Sequence, residues 1–248
     1  MKKSRFALRI LPTLVVGLGF AAEVPRAPAA DPPPAQSTAK PPAKNPFDDA
    51  AANKALTADD LEQRGSDHFC ASRFAESVAD FDAEIKLDAR RGPWHWKRGI
   101  SLYYAGKFAD GAKQFEGYQT VDGNDVENAV WRFLCQVRDP AVGLEKARKG
   151  MLVIKDDRRI PMAQIYSLYH GDLKPDDVLA AAKAGDPSES ILAQRLFYAH
   201  LYLGLYFEVT GDLPAAKRNM DEAVRLKIHH YMGDVAVVHA KLLAEKKR

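Results

Sequence analysis

The residues of this chain best suited to metal or nucleophilic chemistry are its histidines and its two cysteines. His68 stands close to Cys70, and further potential ligands are spread along the chain: His95, Cys135, His229, His230 and His239. A zinc site needs three or four ligands that converge on one point, and these residues follow no metal-binding spacing. No motif places a base beside either cysteine. The sequence therefore predicts no catalytic residue, no metal site and no cofactor, and it leaves a metal-dependent hydrolase as a minor alternative.

A spacing of 34 residues organises the part of the chain that would have to position any site. Three pairs of identical residues are separated by this distance: Gly65 and Gly99, Phe74 and Phe108, and Phe81 and Phe115. The period is typical of repeats built from two helices. In such a repeat a glycine in the first helix lets the second helix approach closely, and aromatic residues fill the remaining space. The pattern predicts an all-α fold made of helix pairs.

The repeat pattern continues to the C-terminal end of the chain, although it is less regular in the centre. Apolar residues at helical spacing predict a third pair, in which Phe133 replaces the glycine of the earlier repeats. A fourth pair is predicted at about 162–184, and a long helix from about 189 to 210 opens a fifth. A final helix at about 232–247 offers one apolar face and is expected to cap the stack. The sequence thus predicts about five helix pairs and a capping helix over residues 56–248.

These repeat residues give the chain a resemblance to the tetratricopeptide-repeat (TPR) proteins. The resemblance implies a right-handed helical solenoid that binds protein or peptide partners. The last quarter, with the run 197–206 followed by Gly211, Asp212 and the pair His229 and His230, loosely resembles the NlpI-like adaptor lipoproteins of the bacterial envelope. That likeness implies a scaffold that brings envelope proteases and wall hydrolases to their substrates. The chain departs from it by lacking a lipid-acceptor cysteine at the end of its N-terminal apolar run.

The TPR resemblance also implies where a partner would bind, because the first helices of the repeats line an inner groove. Transferred to this chain, the tentative groove residues are Phe69, Trp96, Ile100, Tyr103, Tyr104, Leu134 and Arg138. An alternative interpretation places these aromatic residues in the core between neighbouring helices. TPR domains that bind a C-terminal carboxylate resemble one another in carrying lysine and asparagine where this chain has Glu62 and Ser66. A glutamate repels a carboxylate, so that subtype is not expected here.

The N-terminal segments indicate export. Four basic residues precede an apolar run at 10–22, a pattern typical of an export signal over residues 1–22, with cleavage possible as late as residue 29. Residues 23–55 are rich in proline and alanine and are predicted to be a disordered linker. Removal of the signal takes four cations from a chain of net charge +3 and leaves −1. A nearly neutral mature chain has no electrostatic reason to bind nucleic acid or an anionic membrane, and no membrane insertion is expected.

These observations predict an exported, non-catalytic TPR adaptor or scaffold, located in the periplasm or secreted. A structural subunit of an envelope assembly is the first alternative. Cys70 and Cys135 should remain free thiols, because the repeat frame puts them two repeats apart, beyond the ~7 Å Cα separation that a disulfide allows.

Overall fold

The computed structural model describes residues 56–246, and in this range the backbone is helical with no β-strand. The predicted export signal, the proline-rich linker and the last two residues lie outside the described residues. The eleven α-helices described are α1 (Ala58–Cys70), α2 (Phe74–Leu87), α3 (Trp96–Tyr104), α4 (Phe108–Tyr118), α5 (Val126–Arg138), α6 (Gly143–Lys149), α7 (Met162–His170), α8 (Pro175–Lys183), α9 (Glu189–Thr210), α10 (Leu213–Arg225) and α11 (Tyr231–Glu245).

Helices that follow one another in the chain pack together as pairs. The pairs are α1 with α2, α3 with α4, α5 with α6, α7 with α8, and α9 with α10. The prediction of an all-α fold built from adjacent helix pairs is confirmed. Between residues 56 and 246, no helix combines the length and the apolar character that a membrane crossing requires.

Side-chain caps fix where several helices begin. Thr57 accepts a hydrogen bond from the Asp60 backbone N–H at 3.1 Å, and the Asp60 carboxylate accepts one from the Thr57 N–H at 2.9 Å, which completes a capping box. Asp125 caps α5 by accepting from the Glu127 N–H at 3.0 Å. These caps satisfy backbone donors that the first turn of a helix leaves free. Asp125 thereby acquires a fixed position beside the site described below.

The repeated glycines are the places where the two helices of a pair cross most closely. A β-carbon added at Gly65 would lie 2.6 Å from a ring carbon of Phe81, and one added at Gly99 would lie 2.6 Å from Cζ of Phe115. The two contacts are the same contact one repeat apart. At Gly204 an added β-carbon would meet the Met220 side chain at 2.7 Å. Side chains are therefore excluded at these positions by the packing of the second helix.

The third pair differs from the first two at the position of the repeated glycine. Phe133 stands where the first two repeats have glycine, and its buried ring lies 5.2 Å from that of Tyr169 on α7. The partner helix of this pair, α6, has only 7 residues. The Phe133 ring therefore contacts the next helix pair, and the loss of the glycine weakens the repeat pattern in the centre of the chain.

A set of ion pairs joins neighbouring repeats with the same period. Arg98 on α3 binds Asp82 on α2 at 2.6 Å, and Arg132 on α5 binds Glu116 on α4 at 2.7 Å. Both residues of the second pair lie 34 positions after those of the first. The third repeat thus keeps the charged surface of the second although it has lost the glycine.

The last helix, α11, contacts both α10 and the first helix, α1. The ring of Tyr231, the first residue of α11, lies 5.3 Å from the ring of Phe69 on α1 and 5.2 Å from the ring of Trp96 on α3. The chain therefore returns to its own first two helix pairs. The expected capping helix is present, and it covers more of the molecule than the end of the last pair.

Candidate functional site

Most of the tentative groove residues lie together under the last helix. Phe69, Ile100, Tyr103 and Leu134 are buried, with 5% or less of each residue exposed. Trp96, Tyr104 and Arg138 are half-buried. Four of the seven are thus core residues in this structure and do not line an open groove.

The reason is that α11 occupies the surface that α1 and α3 would otherwise present. At one end of α11, Tyr231 packs against Phe69 and Trp96; further along, His239 Nδ1 shares a hydrogen bond of 2.9 Å with the hydroxyl of Tyr104. The second apolar face of α3 needed a partner, and the chain itself supplies it. Among the cavities in the described part of the chain, two lie beside this helix, one towards each end of α11.

The larger of these two cavities, which we call the aromatic cavity, has a volume of about 430 Å³, a size typical of ligand sites. It lies at the beginning of α11. Its walls are the side chains of Trp96, Phe115, Tyr118, Asp125, Glu127, Asn128, Trp131, Tyr198, His230, Tyr231 and Met232. Six of these residues are Phe, Tyr or Trp, and they come from five helices: α3, α4, α5, α9 and α11.

A cluster of charges borders the aromatic cavity. Arg159 donates to Asp125 at 2.6 Å, to Glu127 at 2.7 Å and to Asp157 at 2.6 Å. The other carboxylate oxygen of Glu127 accepts from the Tyr202 hydroxyl at 2.5 Å. Three carboxylates share one guanidinium, so the cluster keeps two negative charges when all of them are ionised.

Burial changes the titration of these groups. Burial raises the pKa of Asp125. Burial also raises the pKa of Glu127, and the neighbouring charge of Asp125 raises that pKa further. The pKa of Asp157 is lowered instead, because its hydrogen bonds from Arg159 and from backbone N–H groups outweigh the opposing effect of burial. Burial also lowers the pKa of His230, which leaves this cavity residue neutral at pH 7. The lining therefore contains no cation at pH 7, and its charge comes from Asp125 and Glu127 when they are ionised.

Two buried polar atoms in the lining have no hydrogen-bond partner among the described residues: Oδ1 of Asn128 and Nε1 of Trp131. Asn128 is 3% exposed and Trp131 is 2% exposed. The amide nitrogen of Asn128 donates to the Phe115 carbonyl at 3.0 Å and to Gln119 at 3.3 Å, which fixes the orientation of the amide. Both residues belong to the cavity lining, but these two atoms are themselves shielded from solvent. Such groups are costly to bury unless something binds them.

The second cavity, of about 370 Å³, lies at the other end of α11 and contains three of the tentative groove residues, Tyr103, Tyr104 and Arg138. Glu208 is at its centre, bound to Arg138 at 2.7 Å and also paired with Lys246. Its side chain is only 3% exposed. Because both basic partners already engage this carboxylate, the pocket is an internal ion-pair network that attaches the end of the chain.

Burial also shifts the pKa values of His239 and Glu208 in the second cavity. Burial lowers the pKa of His239 to about 4, so the imidazole is neutral at pH 7. Burial acts to raise the pKa of Glu208, yet the basic groups around it, His239, Lys246 and Arg138, outweigh burial and lower that pKa. The result is a charged glutamate beside a neutral histidine.

The candidate metal ligands are not brought together. Within the described part of the chain there is no group of three or more His, Cys, Asp or Glu side chains able to hold a metal ion. Cys70 is exposed and Cys135 is buried, and both are free. His95 pairs with Glu84 at 2.7 Å and packs on the Phe81 ring, a structural role.

Sequence reasoning found Trp96 but missed the other residues of the aromatic cavity. Tyr118 lies on a second helix of a repeat, Tyr198 on the long helix α9, and Tyr231 on α11, so none of them occupies a first-helix groove position. The signal that was available is the density of aromatic residues in 197–206 together with the tyrosine that opens α11. No protein-family model matches the chain, so the assignment of a site rests on its geometry.

Proposed function

We propose that this chain is a non-catalytic, peptide-binding adaptor of the TPR type, and that the aromatic cavity beside α11 is its binding site. The observation that carries the proposal is the composition of that cavity, with six aromatic side chains and bordering carboxylates. Concave sites lined by aromatic residues with a few polar groups are typical of ligand binding. Aromatic residues in such positions also supply most of the energy of protein recognition.

The arrangement of the helix pairs as a right-handed solenoid is part of the proposal. Two observations support it: the glycine-to-phenylalanine contact recurs 34 residues apart, and the ion pairs between neighbouring pairs recur with the same period. Identical contacts at identical spacing repeat the geometry of one pair on the next.

A binding role is favoured over catalysis by how the titratable groups of the cavity are used. Asp125 and Glu127 are both engaged by Arg159, and His230 accepts from the Met232 N–H at 3.2 Å as the cap of α11. None of the three is left poised to transfer a proton to a substrate. The charged N-terminal segment and the apolar run after it support an exported protein acting in the periplasm or outside the cell.

The test is to probe the purified full-length chain with an array of random peptides and to measure the affinity of the peptides that bind by calorimetry. Truncation of a cavity ring, as in Tyr198→Leu, should weaken binding by about 30-fold, the loss typical of a buried aromatic hot spot. The matched control is Tyr166→Leu on α7, which removes a half-buried tyrosine outside the cavity. Thermal melts of both variants exclude loss of folding as the cause.

Two results would contradict the proposal. One is an array on which no peptide binds more tightly than about 1 mM, an affinity too weak for a specific partner. The other is a set of bound peptides whose affinity is the same for the wild type and for Tyr198→Leu.

A further inference from the structure

The chemistry of the aromatic cavity also indicates what kind of peptide side chain it takes. Two observations bear on this: the charge of its border and the aromatic side chains of its walls.

The border is negative and holds no spare cation. Asp125, Glu127 and Asp157 share the single guanidinium of Arg159, and the residues that line the cavity include no lysine or arginine. Desolvated carboxylates gain from a second positive charge brought within a few ångströms, because the low local dielectric strengthens the attraction. An anionic or neutral ligand would gain nothing from this border.

The rings offer faces to which cations are attracted. A lysine ammonium or an arginine guanidinium within ~6 Å of an aromatic centroid is stabilised by the ring quadrupole. The structure already contains an example on two of these rings: Nζ of Lys97 lies 5.9 Å from the Trp96 centroid and 5.2 Å from that of Tyr231. Lys97 is held there by Glu62 at 2.7 Å and is not among the residues that line the cavity. Among the described residues, no cation contact of this kind is found on the other tyrosine and tryptophan rings of the lining, Tyr118, Trp131 and Tyr198.

A basic residue within a peptide presents two polar groups, because its side chain donates hydrogen bonds and its backbone carbonyl accepts them. The hydroxyl groups of the tyrosines in the lining can donate to that carbonyl. A free cation such as choline or spermidine has the charge but no carbonyl.

We propose that the aromatic cavity binds the side chain of a lysine or arginine in a peptide partner, with the cation lying among Tyr118, Trp131 and Tyr198 beside the carboxylates of Asp125 and Glu127. This inference rests on the proposed peptide-binding function and names the side chain that the site selects. The apolar rings surround the aliphatic stem, and the border carboxylates neutralise the charged end.

The test uses capped single residues as probes: N-acetyl-arginine methylamide and N-acetyl-lysine methylamide, with N-acetyl-norleucine methylamide as the uncharged control. Binding to the full-length chain is followed by tryptophan fluorescence, because Trp96 and Trp131 line the cavity, and is confirmed by calorimetry. Both basic probes should bind at least about ten-fold more tightly than the norleucine probe. Choline and spermidine, which lack the backbone carbonyl, should bind more weakly than the capped basic residues.

Two variants separate the charge of the site from its shape. Glu127→Gln keeps the size of the side chain and its hydrogen bond from Tyr202 but removes one negative charge, and it should weaken the basic probes by about ten-fold while leaving the norleucine probe unchanged. Tyr118→Leu removes a ring face and should also weaken the binding of the basic probes. The control Tyr166→Leu should leave the affinity for every probe unchanged. Thermal melts show that each variant is folded.

The outcomes distinguish the two proposals. Peptides that bind the cavity with no preference for basic over norleucine side chains, or with a preference for acidic ones, would overturn this inference and leave the adaptor function standing. Choline or spermidine binding as tightly as the capped residues would assign the cavity to small cations and overturn the peptide part. An array on which nothing binds would remove the adaptor function itself.

Discussion

The close crossing of α3 and α4 at Gly99 yields a sharp prediction about stability. In Gly99→Ala the new β-carbon would lie 2.6 Å from Cζ of Phe115 and 2.9 Å from both Cε atoms. The ring cannot easily move away, because Phe115 is 1% exposed and stacks beside Trp131 at a centroid distance of 6.5 Å. The substitution must therefore displace a buried ring or separate the two helices.

The magnitude follows from two opposing effects. Overpacking of a close-packed core typically costs about 1–3 kcal/mol. Replacing a glycine inside a helix by alanine returns up to about 1 kcal/mol of helix propensity. Since the contact is with the tip of an immobile ring, we expect a net loss of about 1–2 kcal/mol for Gly99→Ala. For a domain of this size that loss lowers the melting temperature by roughly 2–8 °C.

The assay is urea unfolding of the full-length chain followed by circular dichroism, with Gly117→Ala as the control. Gly117 is also helical, and no atom lies closer than 4.0 Å to the position of its added β-carbon. That variant should be as stable as the wild type or slightly more stable. In the double variant Gly99→Ala with Phe115→Leu, the shorter side chain relieves the clash, so the combined loss should be smaller than the sum of the two single losses. Strict additivity, or a Gly99→Ala protein as stable as Gly117→Ala, would show that this crossing is not close-packed.

Three further predictions concern buried groups. Because burial lowers the pKa of His239 from 6.5 to about 4, the unfolded chain takes up its proton first on acidification, and the free energy of unfolding should fall by up to about 3 kcal/mol between pH 6.5 and 4. His239→Asn should remove this part of the slope in urea titrations at a series of pH values. Arg159→Gln should cost about 2 kcal/mol, less than for a fully buried ion pair because the guanidinium is half exposed, and Glu127→Gln in the same background should recover part of it. Under native conditions a thiol reagent should label the exposed Cys70 slowly, since partial desolvation and the nearby carboxylates of Asp234 and Asp67 raise its pKa to about 11. The buried Cys135 should be labelled only on unfolding, and a disulfide between the two cysteines in mass spectra would contradict this.

The helix pairs could be predicted because their packing depends on contacts local in sequence. Gly65 and Phe81, like Gly99 and Phe115, lie 16 residues apart within one pair, so the requirement for a small residue opposite a large one appears as a repeated pattern. In the third pair the pattern fades because Phe133, whose ring packs against Tyr169 on α7, replaces the glycine. Periodicity detects a repeated solution and does not detect a different solution to the same problem.

The position of α11 could not be predicted in the same way. The apolar positions of the helix indicated one face packed on the preceding pair, yet Met232, Val235, Ala236, Val238, His239 and Leu243 are all buried. Such a helix is covered on more than one side. The second partner, α1, is more than 150 residues away in the chain, and no local pattern encodes a contact of that separation.

The candidate site is a consequence of that long-range contact. Without α11, the rings of Phe69, Trp96 and Tyr104 would be an apolar surface open along its length, as the first-helix positions suggested. With α11 in place, much of that surface is covered, and a cavity remains at each end of the helix; the aromatic cavity lies where Tyr231 begins it. The site is therefore made from residues of five helices that no repeat motif joins, and its acidic border comes from the cap of α5. The shape of the cavity depends on α11, because removing the Tyr231 ring would take away both one wall of the cavity and a contact between α11 and α1.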